Sequence, residues 1–142
     1  MQKNENETLL GIDYGESNIG LAFGKNAFVT PLKVISGKDT NTAIHEISRL
    51  VRQNKISKIV VGLPLSAAGK ETHESIQVRK FAKLLKIFTK KPVDFYNEHS
   101  SSVDALRAAI SMGMSRKGRG TTDHISAAII LKNYFEGRKL SK

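Results

Sequence analysis

Residues Leu9 to Gly20 read LLGIDYGESNIG: a short apolar run that ends on one acid, Asp13, followed by Gly15 and small polar residues. Beyond the turn the chain is apolar again over IGLAFG. Apolar run, glycine-bearing turn and second apolar run predict two strands of a hairpin, with a carboxylate where the first strand ends. A third strand follows over 28–34, after which Gly37 and Lys38 break the pattern. Thr40 or Asn41 can cap a helix to about Asn54, in which Ala43, Ile44, Ile47, Leu50 and Val51 keep the spacing of a buried stripe. Lys58 to Leu63, KIVVGL, has the continuous apolar character of a strand covered on both faces.

The rest of the chain continues the alternation. A helix is predicted from His73 to Thr89, with Val78, Phe81, Ala82, Leu85 and Phe88 on one side. Arg79, Lys83, Lys86 and Lys90 lie roughly opposite and read as a solvated face. The short strand VDFY follows Pro92 and delivers Asn97 and Glu98 at its end. A further helix is expected from Ser101, a basic glycine-punctuated loop over 113–120 (GMSRKGRG), and a last, almost wholly apolar helix from Thr122 or Asp123 to about Glu136. The order predicts a mixed α/β sheet with helices on its faces. The length suits one domain over 1–142, with 1–7 and 138–142 as loose tails.

Composition narrows the partners. Lys and Arg number 23 against 13 Asp and Glu, a net charge of +10, which favours polyanions and above all nucleic acid. The excess is grouped: six basic residues and no acid lie between Glu74 and Asp94, four and no acid between Asp104 and Asp123. No apolar run approaches the ~20 residues of a membrane span, so no membrane partner is expected. The polar start MQKNENET lacks the plan of a signal peptide. Absent cysteine suits a reducing cytoplasm and excludes thiolate metal sites. The histidines His45, His73 and His124 show no zinc spacing and are expected at solvated or helix-surface positions.

Three acids stand where a regular element begins or ends. Asp13 closes the first strand, Glu98 closes the last, and Asp123 opens the last helix. Each alone has an ordinary explanation, as a turn residue, a loop acid or a helix cap. Together they could converge, because ligands in open α/β sheets collect beyond the carboxyl ends of strands. Crowded carboxylates need a cation, and hard oxygen ligands suit Mg²⁺ or Mn²⁺. Two such ions can activate water and stabilise the leaving oxygen of a phosphodiester. The loop residues Arg116, Lys117 and Arg119 precede Asp123 and are expected to grip phosphate at the mouth of that site.

Over about Leu9 to Glu136 the blocks GIDYG-x3-IGLA, VVGLPLSAAG, NEHSSS and TTDHISAAIIL resemble, in order and spacing, those of the YqgF/RuvX family. The resemblance implies an RNase H-like mixed five-stranded sheet with helices on both faces, and a metal-dependent nuclease of bacterial cytoplasm. Family members are described as processing the 5′ end of pre-16S rRNA or as resolving Holliday junctions. The family's acids fall on Asp13, Glu98 and Asp123, and its hydroxyl positions on Ser101 and Ser102. Where the family usually has Asp and Arg beside its Glu, this chain has Asn97 and His99. Asn97 removes a carboxylate, and His99 replaces a guanidinium that could grip phosphate in bidentate fashion.

Three functions are therefore weighed. The first is a nuclease on structured RNA, with branched DNA as the alternative substrate; a resolvase favours a homodimer, whereas trimming one rRNA end suits a monomer. The second is ATP binding, since GIDYGESNIG also looks like the phosphate hairpin of the actin-like superfamily, but one lobe is too little chain for that. The third is a nucleic-acid-binding module that has lost its chemistry.

Overall fold

The computed structural model describes residues 7–97 and 123–140, with backbone alone for Asp123 and 138–140. The elements run β1 (Thr8–Asp13), β2 (Asn18–Lys25), β3 (Phe28–Ser36), α1 (Thr40–Gln53), β4 (Lys58–Leu63), α2 (His73–Thr89), β5 (Val93–Asn97) and, after the undescribed stretch, α3 (Asp123–Leu140). The expected helix from Ser101 and the loop 113–120 lie outside the described residues.

The five strands form one sheet in the order β3-β2-β1-β4-β5. β1 to β3 make an antiparallel meander, while β4 and β5 join β1 in parallel. β2 and β3 meet at a two-residue turn in which Asn26 and Ala27 both adopt positive φ, 55° and 70°, as the favoured hairpin geometry demands. A register shift at Leu21/Ala22 leaves Leu32 of β3 without a partner, next to Pro31, which pairs with Ala22. A proline without an N–H is tolerated there because, among the described residues, β3 has a strand on one side only.

Strand alternation divides the core. Leu10, Ile12, Ile19, Leu21, Ile59 and Val61 face α1 and α2, while Leu9, Ala22 and Val60 face Ala127, Ile130 and Leu131 of α3. β1 and β4 are thus buried on both sides, which is why their sequences are continuously apolar. All five residues of the α1 stripe are buried. The N-cap of α1 is Asp39, one residue earlier than Thr40: its carboxylate accepts from the Thr42 hydroxyl at 2.6 Å instead of from a backbone amide. α2 is capped by Thr72, whose hydroxyl accepts from Ser75 N at 3.0 Å and donates to Pro64 O at 2.7 Å. That single hydroxyl fastens the start of α2 to the end of β4.

Two readings of side chains change. Arg79 is not simply solvated: it donates twice to Glu71, at 2.8 and 2.7 Å, and lies over the Phe95 ring. His124 is half-buried rather than on the surface, with Nδ1 enclosed and without a partner among the described residues. No described helix is long and apolar enough to cross a membrane.

Candidate active site at the strand ends

Because β1, β4 and β5 are parallel, their carboxyl ends reach one edge of the sheet. Ile12 pairs with Val61, and Leu63 pairs with Asn97, so Asp13 and Asn97 end their strands within about a residue of the same level. The edge spans roughly 10 Å from β1 to β5, two strand spacings.

Alternation also fixes the face. Leu9 packs on α3 and Leu10 and Ile12 on α1 and α2, so Asp13 falls on the α3 face. The next residue, Tyr14, goes the other way and stacks on Phe81 of α2, ring centroids 4.5 Å apart. Burial, then the nearby Glu16 carboxylate, push its phenol above the usual range.

The direction of α3 follows from two glycines. A Cβ on Gly11 would meet Leu131 Cγ at 2.5 Å and Ala127 O at 3.0 Å; one on Gly24 would meet Phe135 Cε2 at 2.7 Å. Gly24 pairs with Leu9, so α3 runs antiparallel to β1 and begins at the Asp13 edge. From Ala127 back to Asp123 is four residues, about 6 Å of helix. From Gly11 on to Asp13 is two residues, about 7 Å of strand. The first residue of α3 therefore reaches the level of Asp13 on the same face. The partial positive charge of that helix start favours carboxylates and phosphate there.

The turn after Asp13 is held by contacts that the sequence did not announce. Gly15 has no room for a Cβ, which would sit 2.7 Å from Asn18 O. Gly37, distant in sequence, donates its N–H to Ser17 O at 2.9 Å, and a Cβ there would lie 2.5 Å from Gly15 O. Gln77 of α2 donates to Glu16 at 2.8 Å. The result is an open depression of about 370 Å³ lined by Asp13, Tyr14, Gly15, Glu16, Ser17 and Asn18. A glycine beyond a strand announces a turn; only the fold reveals that Gly37 backs the Asp13 loop.

Of the predicted site residues, Asp13 is fully described and Asp123 is placed by its backbone. Glu98, His99, Ser101, Ser102, Arg116, Lys117 and Arg119 lie outside the described residues, Glu98 directly after the last residue of β5. Asn97 falls with Val93 and Phe95 on the α1–α2 face, whereas Asp94 and Tyr96 face α3. It is thus on the opposite face from Asp13. Among the described residues no three His, Cys, Asp or Glu come together. The donor that is described, a strand-end carboxylate in an open polar depression, has the hard-oxygen chemistry that suits Mg²⁺ or Mn²⁺.

The family model for RuvX, described as Holliday junction resolvase, matches residues 7–137. The chain belongs to the RuvX family. Relatives named "Putative pre-16S rRNA nuclease" include those of Chloroflexus aggregans, 31% identical over 94% of this chain and 96% of theirs, and Syntrophomonas wolfei, 33% identical over 94% and 97%. Among solved structures, Thermus thermophilus RuvC in complex with a Holliday junction superposes with a TM-score of 0.61 at 15% identity, covering 94% of this chain and 96% of that one. The fowlpox virus resolvase bound to junction DNA gives 0.54 at 13% identity, over 94% and 99%. At such identities these neighbours establish the fold, the RNase H-like mixed sheet with helices on both faces.

Proposed function

We propose that this member of the RuvX family is a divalent-metal-dependent nuclease that processes the 5′ end of pre-16S rRNA in the bacterial cytoplasm. The observation that carries the reading is the coincidence of Asp13 and the start of α3, an acid, at one level of one sheet face. Asp13, Glu98 and Asp123 hold Mg²⁺ or Mn²⁺, which supplies Lewis-acid chemistry at the phosphodiester. The chain's own part is positioning: Gly37 and Gln77 fix the loop that presents Asp13, and the α3 start offsets the repulsion between carboxylates. Arg116, Lys117, Arg119, His99, Ser101 and Ser102 contact the nucleic acid.

RNA is favoured by the names of relatives that match over nearly their whole length. Resolution of a Holliday junction is the second reading, favoured by the family description. The position of Asn97 argues against a chain that has lost its chemistry, since a carboxylate there would not join Asp13.

The test is cleavage of a pre-16S 5′ leader and of a four-way junction, each with Mg²⁺, Mn²⁺ or EDTA. Asp13→Asn is expected to abolish metal-dependent cleavage while the protein still binds nucleic acid. Turnover of that variant at the wild-type rate would refute the assignment. The substrate that is cut, together with solution mass, separates rRNA trimming by a monomer from junction cleavage by a dimer.

A further inference from the structure

At the end of the molecule away from Asp13, α1 and α2 terminate side by side and leave a cavity of about 690 Å³. Its rim carries Arg52, Lys55, Lys90 and Lys91, and no acid is among the described residues that line it. None of the four cations is ion-paired among the described residues. Phe88 lines the same cavity with 57% of its surface exposed. Ser48, 7% exposed, also lines it, and its hydroxyl has no hydrogen-bond partner among the described residues.

The helix ends themselves are unusual. Lys55 and Lys90 both adopt left-handed backbone, φ 53° and 59°. Glycine is the usual residue in that conformation at a helix end, and a side chain there is strained. Attraction of cations to the helix dipole would account for basic residues in the last turn. It does not account for lysine at two strained positions, or for an exposed aromatic ring lining the same cavity.

We propose that this cavity is a second nucleic-acid contact, in which one unstacked base of a single strand lies on Phe88 while the flanking phosphates meet Arg52, Lys55, Lys90 and Lys91. The inference rests on the nucleic-acid reading of the chain but not on its catalysis. A phosphate chain supplies the repeated negative charge the rim calls for, and every base has a face that can stack on an aromatic ring. Ser57 N donates to Thr8 O at 2.8 Å, so the cavity lies at the start of β1. Five strand steps, about 17 Å, separate it from Asp13. A substrate spanning both points is anchored at one end of the molecule and cut at the other.

The probes are 12-residue oligouridylate, oligothymidylate and a duplex of equal length, their binding followed by fluorescence anisotropy in EDTA. The full-length Asp13→Asn protein is used, so that cleavage never enters. Lys55→Gly with Lys90→Gly relieves the left-handed strain while removing two charges. The proposal predicts a Tm that does not fall, a salt slope for single strands reduced by about 1.4, and affinity reduced about 25-fold at 0.1 M salt. Phe88→Ala, at an exposed position, is predicted to weaken both single strands by about 5- to 150-fold and the duplex much less.

Single-strand binding equal to that of the Asp13→Asn parent in both variants, at every salt concentration, would overturn the proposal. Equal losses for duplex and single strand on Phe88→Ala would overturn the stacking. If the wild-type chain cleaves nothing while these losses are observed, the nuclease reading fails and this contact stands. If it cleaves and the losses are absent, the reverse holds.

Discussion

Gly11→Ala tests the link between the seat of α3 and the site. The new Cβ would stand 2.5 Å from Leu131 Cγ and 3.0 Å from Ala127 O. Carbon atoms in contact prefer about 3.5–4.0 Å, so the overlap with Leu131 exceeds about 1 Å. Leu131 is fully buried and cannot swing into solvent, and Ala127 O is backbone. The strain is relieved only if α3 lifts from β1. Overpacking of this kind costs about 1–3 kcal/mol. With an unfolding entropy of about 2.1 cal/mol/K per residue over the chain, 1 kcal/mol corresponds to ~3 °C, so Tm should fall by about 3–10 °C.

The functional consequence is larger than the loss of stability. A displacement of about 1 Å in a catalytic group can cost on the order of 100-fold in rate. Cleavage measured at 25 °C, where the variant is still folded by circular dichroism, should therefore drop roughly 10- to 100-fold. Gly24→Ala is the control, because there the 2.7 Å contact is with the far end of the half-buried Phe135 ring and lies farther from the start of α3. It should lower Tm without a comparable loss of cleavage. A Gly11→Ala protein with wild-type Tm would refute the packing argument; one with lowered Tm and full activity would refute the coupling of α3 to the site.

Gly37→Ala forces a Cβ to within 2.5 Å of Gly15 O and 3.0 Å of Glu16 O, both backbone atoms, so Tm should fall by about 3–10 °C and cleavage with it; intact cleavage would show that the Asp13 loop does not need this backing. The Lys33 ammonium, hydrogen-bonded at 2.7 Å, holds the Glu46 carboxyl below its ordinary range, with Arg49 adding to it. A depressed carboxyl contributes stability above the unfolded-state pKa and loses it as pH falls through the folded-state value, so Glu46→Gln should flatten the acid limb of a Tm-against-pH curve, and an unchanged limb would remove the pair from the account. Asn97→Asp should change metal-dependent cleavage by less than about threefold, since the position falls on the face away from Asp13; a gain near tenfold, worth about 1.4 kcal/mol of barrier, would overturn that placement.

Much of the fold was legible because its signals are local. KIVVGL reads as a strand covered twice and is one, and the α1 stripe from Ala43 to Val51 is buried as its spacing predicts. Asp13 was legible as a strand-end acid, but not the face it occupies, because that depends on which alternate residues of β1 meet α3. Gly37 was unreadable for the same reason: the Ser17 carbonyl it donates to and the Gly15 carbonyl it packs against lie twenty residues or more away in sequence. Arg79 looked like one of four equivalent cations until the loop before α2 brought Glu71 to it. Comparison with the family pattern marks Asn97 as a lost carboxylate, and alternation along β5 sets it on the face away from Asp13. The motif names the residue but not the face, which follows only from which alternate residues of the strand meet which helices.

The same topology sorts charge along the strand axis. α1 and α2 each return antiparallel to the parallel strands, and α3 runs antiparallel to β1, so all three described helices begin at the Asp13 edge. Acids gather there, with Asp39 before α1, Glu71 and Glu74 at the start of α2, and Asp123 at the start of α3. The positive helix ends stabilise them. Arg52, Lys55, Lys90 and Lys91 gather at the opposite end. On the proposed reading a polyanion is drawn to this basic end independently of the metal, while the acids at the Asp13 edge oppose its close approach to Asp13 until cations neutralise them. Binding at the basic end should then fall steeply with salt and be indifferent to EDTA, whereas engagement at the acidic edge requires the divalent ion.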